Sequence, residues 1–313
     1  MILCCGDALI DMIPADLPGG GKGFVPHVGG AVFNTSIALG RLEMKPSFFH
    51  AISTDLFGEM LARELHASHV DFSLAPRVER PTTLAFVMLT DGQARYVFYD
   101  EASAGRMLSE QDLPTLPQEI DALFFGGISL VAEPCGSTFE ALMMRERARR
   151  FVMVDPNIRP AFIRDETAYR ARLSRMLGAA DIVKLSEEDL EWLAPGHEDE
   201  AVAGLVAQGV HAVLVTRGED GATAVTEGGS VSVKPPRTRV VDTVGAGDAF
   251  NAGFIEGLAG LGLLSKDGIR RAGPDALERC LARAVEVAAA TVARQGANPP
   301  RLTELSPPSW RAA

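Results

Sequence analysis

The sequence predicts an α/β fold, a mostly parallel sheet flanked by helices on both faces. Short apolar runs at residues 151–154, 181–184 and 212–216 have strand length and composition. Each is followed by polar or glycine residues, and helix-like segments alternate with them, which is the βα rhythm of a helix-covered parallel sheet. The chain has 313 residues, 47% of them hydrophobic, enough for one large core or two ordinary ones.

The elements follow in order. The opening run MILCC reads as the first strand, so adjacent Cys4 and Cys5 face opposite ways. Residues 12–27, rich in Pro and Gly, fit no helix. Residues 83–89 and 94–99 are strand-rich, are separated by the turn pair Asp91-Gly92 and have no helix between them, so an antiparallel hairpin is expected. Residues 137–150 and 190–207 read as flanking helices. A further helix begins near Ala246 and presents Phe250, Phe254 and Leu258 at i, i+4 and i+8. There is no internal repeat, and no low-complexity segment beyond the glycine turn at 19–23.

Composition excludes several partners. A formal net charge of −11 disfavours nucleic acid and anionic membranes, which call for a positive surface field. The local basic run at 145–150, RERARR, reads as a solvated helix face. Cys4, Cys5, Cys135 and Cys280 show no CxxC spacing and read as reduced thiols. Asp7 and Asp11 interrupt the apolar start, and no basic segment precedes it, so neither a signal peptide nor a membrane span is expected. A cytoplasmic protein is the expectation. His66 and His69 have helix-face spacing but lack the other ligands of a zinc motif, and are expected at the surface.

The most informative stretch is 240–252, VVDTVGAGDAFNA. Gly245 and Gly247 leave the backbone open, so successive N–H groups, including that of Ala246, can point at a phosphate while the helix start adds its positive end. Asp248 would repel that phosphate unless it faces another group, such as a hydroxyl whose proton it removes. The plainer alternative is a first-turn acid that suits the helix dipole, worth roughly 0.3 to 1 kcal/mol.

This stretch resembles the second signature of the ribokinase-like (PfkB) family of sugar and nucleoside kinases, and HVGGAVFNTS at 27–36 resembles the first. The resemblance runs from residue 2 to about residue 300. Within the family it is nearest to bacterial fructokinases, through CCGDALIDMIP at 4–14, DPNIRP at 155–160 and VKLSEEDL at 183–190. It implies a single ribokinase-like kinase domain over 1–313, with a small β-lid inserted from about 12–30 and 82–103. It further implies ATP and Mg²⁺, with Asp248 as base and the N–H groups of Gly245, Ala246 and Gly247 on the transferring group. Asp11, Gly30, Asn34 and Arg159 are then expected around the sugar; an acid capping a turn, a plain helix residue and a loop-pinning arginine are the alternatives for Asp11, Asn34 and Arg159.

On the nucleotide side the resemblance points to Lys184, Thr216, Gly218, Gly221 and Asn298. SEED at 186–189 stands where the family carries Asn-x-x-Glu. Asp189 is therefore either the carboxylate that organises the water around Mg²⁺ or part of a capping box with Ser186. A K⁺ site is implied behind the glycine turn, formed by Asp242, carbonyls around Val244 and the 294–297 loop. A homodimer through the lid is a further expectation.

Asp100 and Glu101 on the lid's edge are expected to repel an anionic substrate. That favours a neutral sugar over 2-keto-3-deoxygluconate and fructose 6-phosphate, and the resemblance to fructokinases makes free D-fructose the first choice, with ribose or adenosine next. Other classes fit less well. A nicotinamide dehydrogenase needs GxGxxG after an early strand, whereas this first strand leads into GDALID, and GGGKG at 19–23 lacks the Ser or Thr of a Walker A loop. A sugar sensor without catalysis would have no use for Asp248 beside an intact glycine turn.

Overall fold

The computed structural model describes residues 1–90, 93–307 and 310, so the Asp91-Gly92 turn lies outside the described residues. The main sheet has eight strands in the order Gly229–Val233, Ala222–Thr226, Ala212–Thr216, Ile182–Ser186, Phe151–Asp155, Ala122–Gly126, Ile2–Gly6 and Ser47–Phe49. From Ala212–Thr216 to Ser47–Phe49 every neighbouring pair is parallel. Ala222–Thr226 and Gly229–Val233 close the other edge as antiparallel strands.

Each central strand is buried on both sides, and its alternate residues feed two cores. Cys4, Phe124, Met153 and Ile182 pack with Phe33 and Phe254, from the helices Ala31–Arg41 and Ala246–Gly260. Cys5, Phe125, Val154 and Val183 pack on the other face with Phe139 and Leu173, from Cys135–Glu146 and Glu166–Leu177. Each such phenylalanine contributes about 1.5 to 3 kcal/mol of burial, so both faces are fixed by apolar packing. The four cysteines are buried and free, and Cys4 and Cys5 do face opposite cores.

Residues 12–27, which fit no helix, belong to the small β-lid that the family resemblance implies. They lie in two antiparallel strands, Leu9–Asp16 and Lys22–Gly29. Two prolines and a mostly exposed pattern hide the strand period. Pro26 is tolerated because Lys22–Gly29 is an edge strand, and Pro14 because pairing with the next strand covers only 10–12. Leu84–Thr90 and Gln93–Tyr99 form the expected hairpin and complete a separate four-stranded sheet, the lid.

Two helix readings are corrected. The segment 190–207 is two helices, Glu187–Leu193 and Glu198–Ala207, broken where Pro195 and Gly196 (φ 75°) cannot continue the first. The helix around 137–150 is Cys135–Glu146; Arg147 to Arg150 lie in the turn beyond it, with Arg145, Arg147 and Arg149 exposed. His66 and His69 are exposed.

Candidate active site

The carboxyl ends of the parallel strands open into a crevice of about 660 Å³ beneath the lid. Asp7 follows the strand Ile2–Gly6, Asp155 ends its strand, Lys184 lies in Ile182–Ser186, and residues 243–248 form the opposite wall. Asp11, Gly30, Asn34 and Arg159 line the same space.

The glycine turn is held by geometry that only glycine suits. Gly245 caps the helix Ala246–Gly260 with φ 79°, and a Cβ there would stand 2.8 Å from Ala297 Cβ. The first-turn N–H groups have no intrahelical acceptors, apart from a long bond of 3.3 Å from Ala246 N–H back to Thr243 O. Behind the turn, Asp242 accepts from Val244 N–H at 3.1 Å and from Gly296 N–H at 2.9 Å, tying the turn to the 294–297 loop. The helix itself is fastened to Pro274–Val292 by the buried Glu256–Arg283 pair at 2.6 Å.

Asp248 sits in the first turn and is only 8% exposed. One of its oxygens, Oδ2, accepts from Asn34 Nδ2 at 2.9 Å. Burial pushes its carboxyl up to about 7, against the pull of the Asn34 bond; Asp155 and Asp7 push further the same way, and Lys184 opposes them. The group can therefore accept a proton near neutral pH, as a general base must.

Asp7 is the site residue that sequence reading passed over, treating it only as a charge interrupting an apolar run. Its carboxylate receives N–H bonds from Ala31 (3.2 Å) and Val32 (3.3 Å), at the start of the helix Ala31–Arg41. Burial raises its pKa. Gly30 makes the contact possible: its φ is 111°, and a Cβ would come within 2.6 Å of Asp7 O. A carboxylate directly after a buried strand was the signal that could have found it. Asp11 instead lies on the lid strand Leu9–Asp16, not at the end of the first strand, and burial together with nearby Asp7 lifts its carboxyl to about 6.

Below the turn, Lys184 Nζ lies 3.2 Å from Asp155 Oδ2, which also accepts from Asn251 Nδ2 at 2.7 Å. Burial alone would lower the lysine's pKa, but Asp155 and Asp189 outweigh it and keep the ammonium charged. A Cβ on Gly247 would be 3.4 Å from that ammonium, so its charge lies under the turn. Asn251, also unremarked in the sequence, is the second polar residue of GAGDAFN.

Other expected residues stand apart from the crevice. Thr216 ends its strand, Gly218 and Gly221 shape the following turn, and Asn298 accepts from Arg41 Nη1 at 2.7 Å; none lines the crevice wall. Asp189 is 2% exposed and makes the capping box: Oδ2 accepts from Ser186 N–H and Oγ, while Oδ1 accepts from Ile158 N–H at 2.7 Å. The lid acids are not free anions. Asp100 is paired with Arg106 at 2.7 Å, and Arg164 lies 3.9 Å from Asp100 and 3.8 Å from Glu101. The carboxylates on the crevice wall itself include Asp7, Asp11 and Asp248.

The profile of the pfkB family carbohydrate kinases matches residues 1–304. The chain belongs to that family. It is 51% identical to a fructokinase of Rhizobium leguminosarum bv. trifolii, over 85% of this chain and 82% of that protein. A Klebsiella pneumoniae fructokinase is 34% identical over 86% of this chain and 87% of its own length. The crystal structure of a Xylella fastidiosa fructokinase with bound ATP superposes with a TM-score of 0.84 at 28% identity, covering 97% of this chain and 94% of that one. This pfkB-family chain is thus a ribokinase-like phosphotransferase acting on a sugar hydroxyl. Among the described residues no helix is long and apolar enough to cross a membrane.

Proposed function

We propose that this kinase is a fructokinase, transferring the γ-phosphoryl group of ATP to a hydroxyl of free D-fructose, with Asp248 as the base. The observation that carries the reading is a buried carboxylate, tuned to about 7, in the first turn of a helix whose glycine cap leaves its N–H groups open. The sugar hydroxyl gives its proton to Asp248, its oxygen attacks the γ-phosphorus, and the bond to the β-phosphate oxygen breaks to release ADP. N–H groups of the 245–247 turn stabilise the moving phosphoryl group, each such donor typically worth about 10² to 10³ in rate. Lys184, charged beneath Gly247, adds a fixed positive field there.

Asp7 and Asp11 accept hydrogen bonds from the sugar's other hydroxyls, which favours a neutral substrate: an anion between the buried Asp7 carboxylate and the half-buried Asp11 is costly. Similarity to fructokinases makes that sugar fructose; the Vibrio cholerae fructokinase structures, at TM-score 0.81 and 25–26% identity, hold fructose and ADP with a potassium or a calcium ion. A Mg²⁺ ion carried on the ATP phosphates would neutralise part of their charge. With both Asp189 oxygens engaged, any part it plays toward such an ion runs through water. Asp242 and the carbonyls around Val244 suit a K⁺ ion that braces the turn.

The lid carries exposed apolar side chains on both faces, Ile13 and Val25 on one and Phe24 and Tyr99 on the other, which supports association of two chains through it. Mass measurement in solution tests that; a monomer at all concentrations refutes it. The function itself is tested by ADP release over a panel of D-fructose, ribose, adenosine, fructose 6-phosphate and 2-keto-3-deoxygluconate. A clear preference for fructose is expected, and a preference for an anionic sugar would overturn the reading.

A further inference from the structure

A small cavity of about 20 Å³, room for one water, adjoins the crevice and shares Asp7, Leu9, Ile128 and Phe162 with it. Its lining includes no residue of the glycine turn, so a group entering it stays clear of the transferred phosphoryl. Asp100 and Arg106 line it too, joined at 2.7 Å with side chains only 10% and 20% exposed. The second guanidinium, Arg164, approaches Asp100 from outside at 3.9 Å and is itself 67% exposed. The other ionisable side chains on the wall supply no competing cation: His50 is buried against Phe139 with its pKa lowered to about 4 by burial, burial keeps the Cys135 thiol protonated, and Asp7 is a second carboxylate, already accepting from Ala31 and Val32 N–H.

A guanidinium binds a carboxylate with two parallel donors, and any carboxylate of the right reach will serve. Here the enzyme supplies its own. We propose that Asp100 is a specificity-determining residue: by occupying Arg106 it withholds from the crevice a cation that would otherwise take the carboxylate of a sugar acid. The inference rests on the sugar-kinase reading above and explains how a cation-lined pocket beside the crevice stays closed to acids. Removing Asp100 leaves the half-buried Arg106 without its partner, an unfavourable state that an incoming carboxylate relieves. The small cavity, enlarged by the missing side chain, admits the planar carboxylate of a 2-keto aldonic acid more readily than a bulkier phosphate.

The test compares the parent with Asp100→Ala, Asp100→Asn and the double variant Asp100→Ala/Arg106→Ala. For each, kcat/KM is measured with D-fructose and with 2-keto-3-deoxygluconate, and the acid's binding is followed by calorimetry and by its effect on Tm. Asp100→Ala should use the acid at least about tenfold better than the parent, one charge-assisted pair being worth about that much. The acid should also raise that variant's Tm, and the double variant should lose both effects. Asp100→Asn keeps the side chain's shape and should show a smaller gain in the same direction, which decides the matter if the alanine variant does not fold. No gain in either single variant, or a gain that survives loss of Arg106, overturns the inference. The parent's own preference among neutral sugars tests the fructose reading separately, since the change in acid use is read against the parent whatever neutral sugar it favours.

Discussion

Asn34 Nδ2 donates to Asp248 Oδ2 at 2.9 Å, so the first helix of the chain holds the carboxylate that opens a helix more than two hundred residues later. One oxygen of Asp248 is thereby fixed, and in the proposed reaction the other takes the sugar hydroxyl's proton. The same bond is the largest influence keeping the carboxyl's pKa from rising further under burial.

Asn34→Ala should therefore shift the acidic limb of the pH profile. In the parent, kcat/KM for the sugar is expected to rise with pH while Asp248 is protonated and to level off above about 7. Without the amide, that limb should move upward by about one pH unit, the size of one hydrogen bond to a charged group. A profile that merely drops in height, with its inflection unmoved, would show that Asn34 acts on the sugar alone.

Asp248→Asn should stabilise the protein in a pH-dependent way. The folded-state value of about 7 lies above the ordinary carboxylate value of 3.8, so between these limits the folded parent binds more protons than the unfolded chain. Its stability accordingly falls as pH rises from about 4 to 7, a slope the amide lacks. The variant's Tm relative to the parent should be highest at pH 8 and the gap should shrink by pH 5. A constant difference across that range would contradict the assigned titration.

Asp11→Ala should raise the sugar KM by at least about tenfold and leave the ATP KM within about twofold, because the lost acceptor belongs to the sugar. Steady-state kinetics with each substrate varied in turn checks this, and equal effects on both would place Asp11 in a structural role instead.

Activity should rise on addition of K⁺, and Asp242→Ala should lower the rate and abolish that response. Asp242 links the glycine turn to Gly296, so its loss loosens the N–H geometry as well as the ion's surroundings. Equal parent rates in K⁺ and in a buffer containing only a bulky organic cation would rule the site out.

The parallel sheet was legible because its strands are buried on both faces and read as unbroken apolar runs, as in FVMVD and AVLVT. The lid's first two strands were placed only by the family resemblance. They are mostly half-buried or exposed and carry two prolines, so neither hydrophobic period nor propensity marks them. In the site, the glycine turn and Asp248 stood out because their chemistry is local, within six residues of Asp242. Asp7 and the Asp155–Lys184–Asn251 group were invisible as a set, since only the alignment of separate strand ends brings them together. The lid acids misled for the same reason: Arg106 and Arg164 neutralise Asp100 from positions that sequence separation does not pair.

The central claim, that Asp248 takes the proton of a fructose hydroxyl, is tested most directly by measuring ATP-dependent phosphorylation of D-fructose by the parent and by Asp248→Asn side by side, with ATP binding followed independently. The parent should turn over fructose in preference to ribose and adenosine, and the variant should lose at least about 10²-fold in kcat while binding ATP at least as well. A variant that stays within a few-fold of the parent would remove Asp248 from the chemistry.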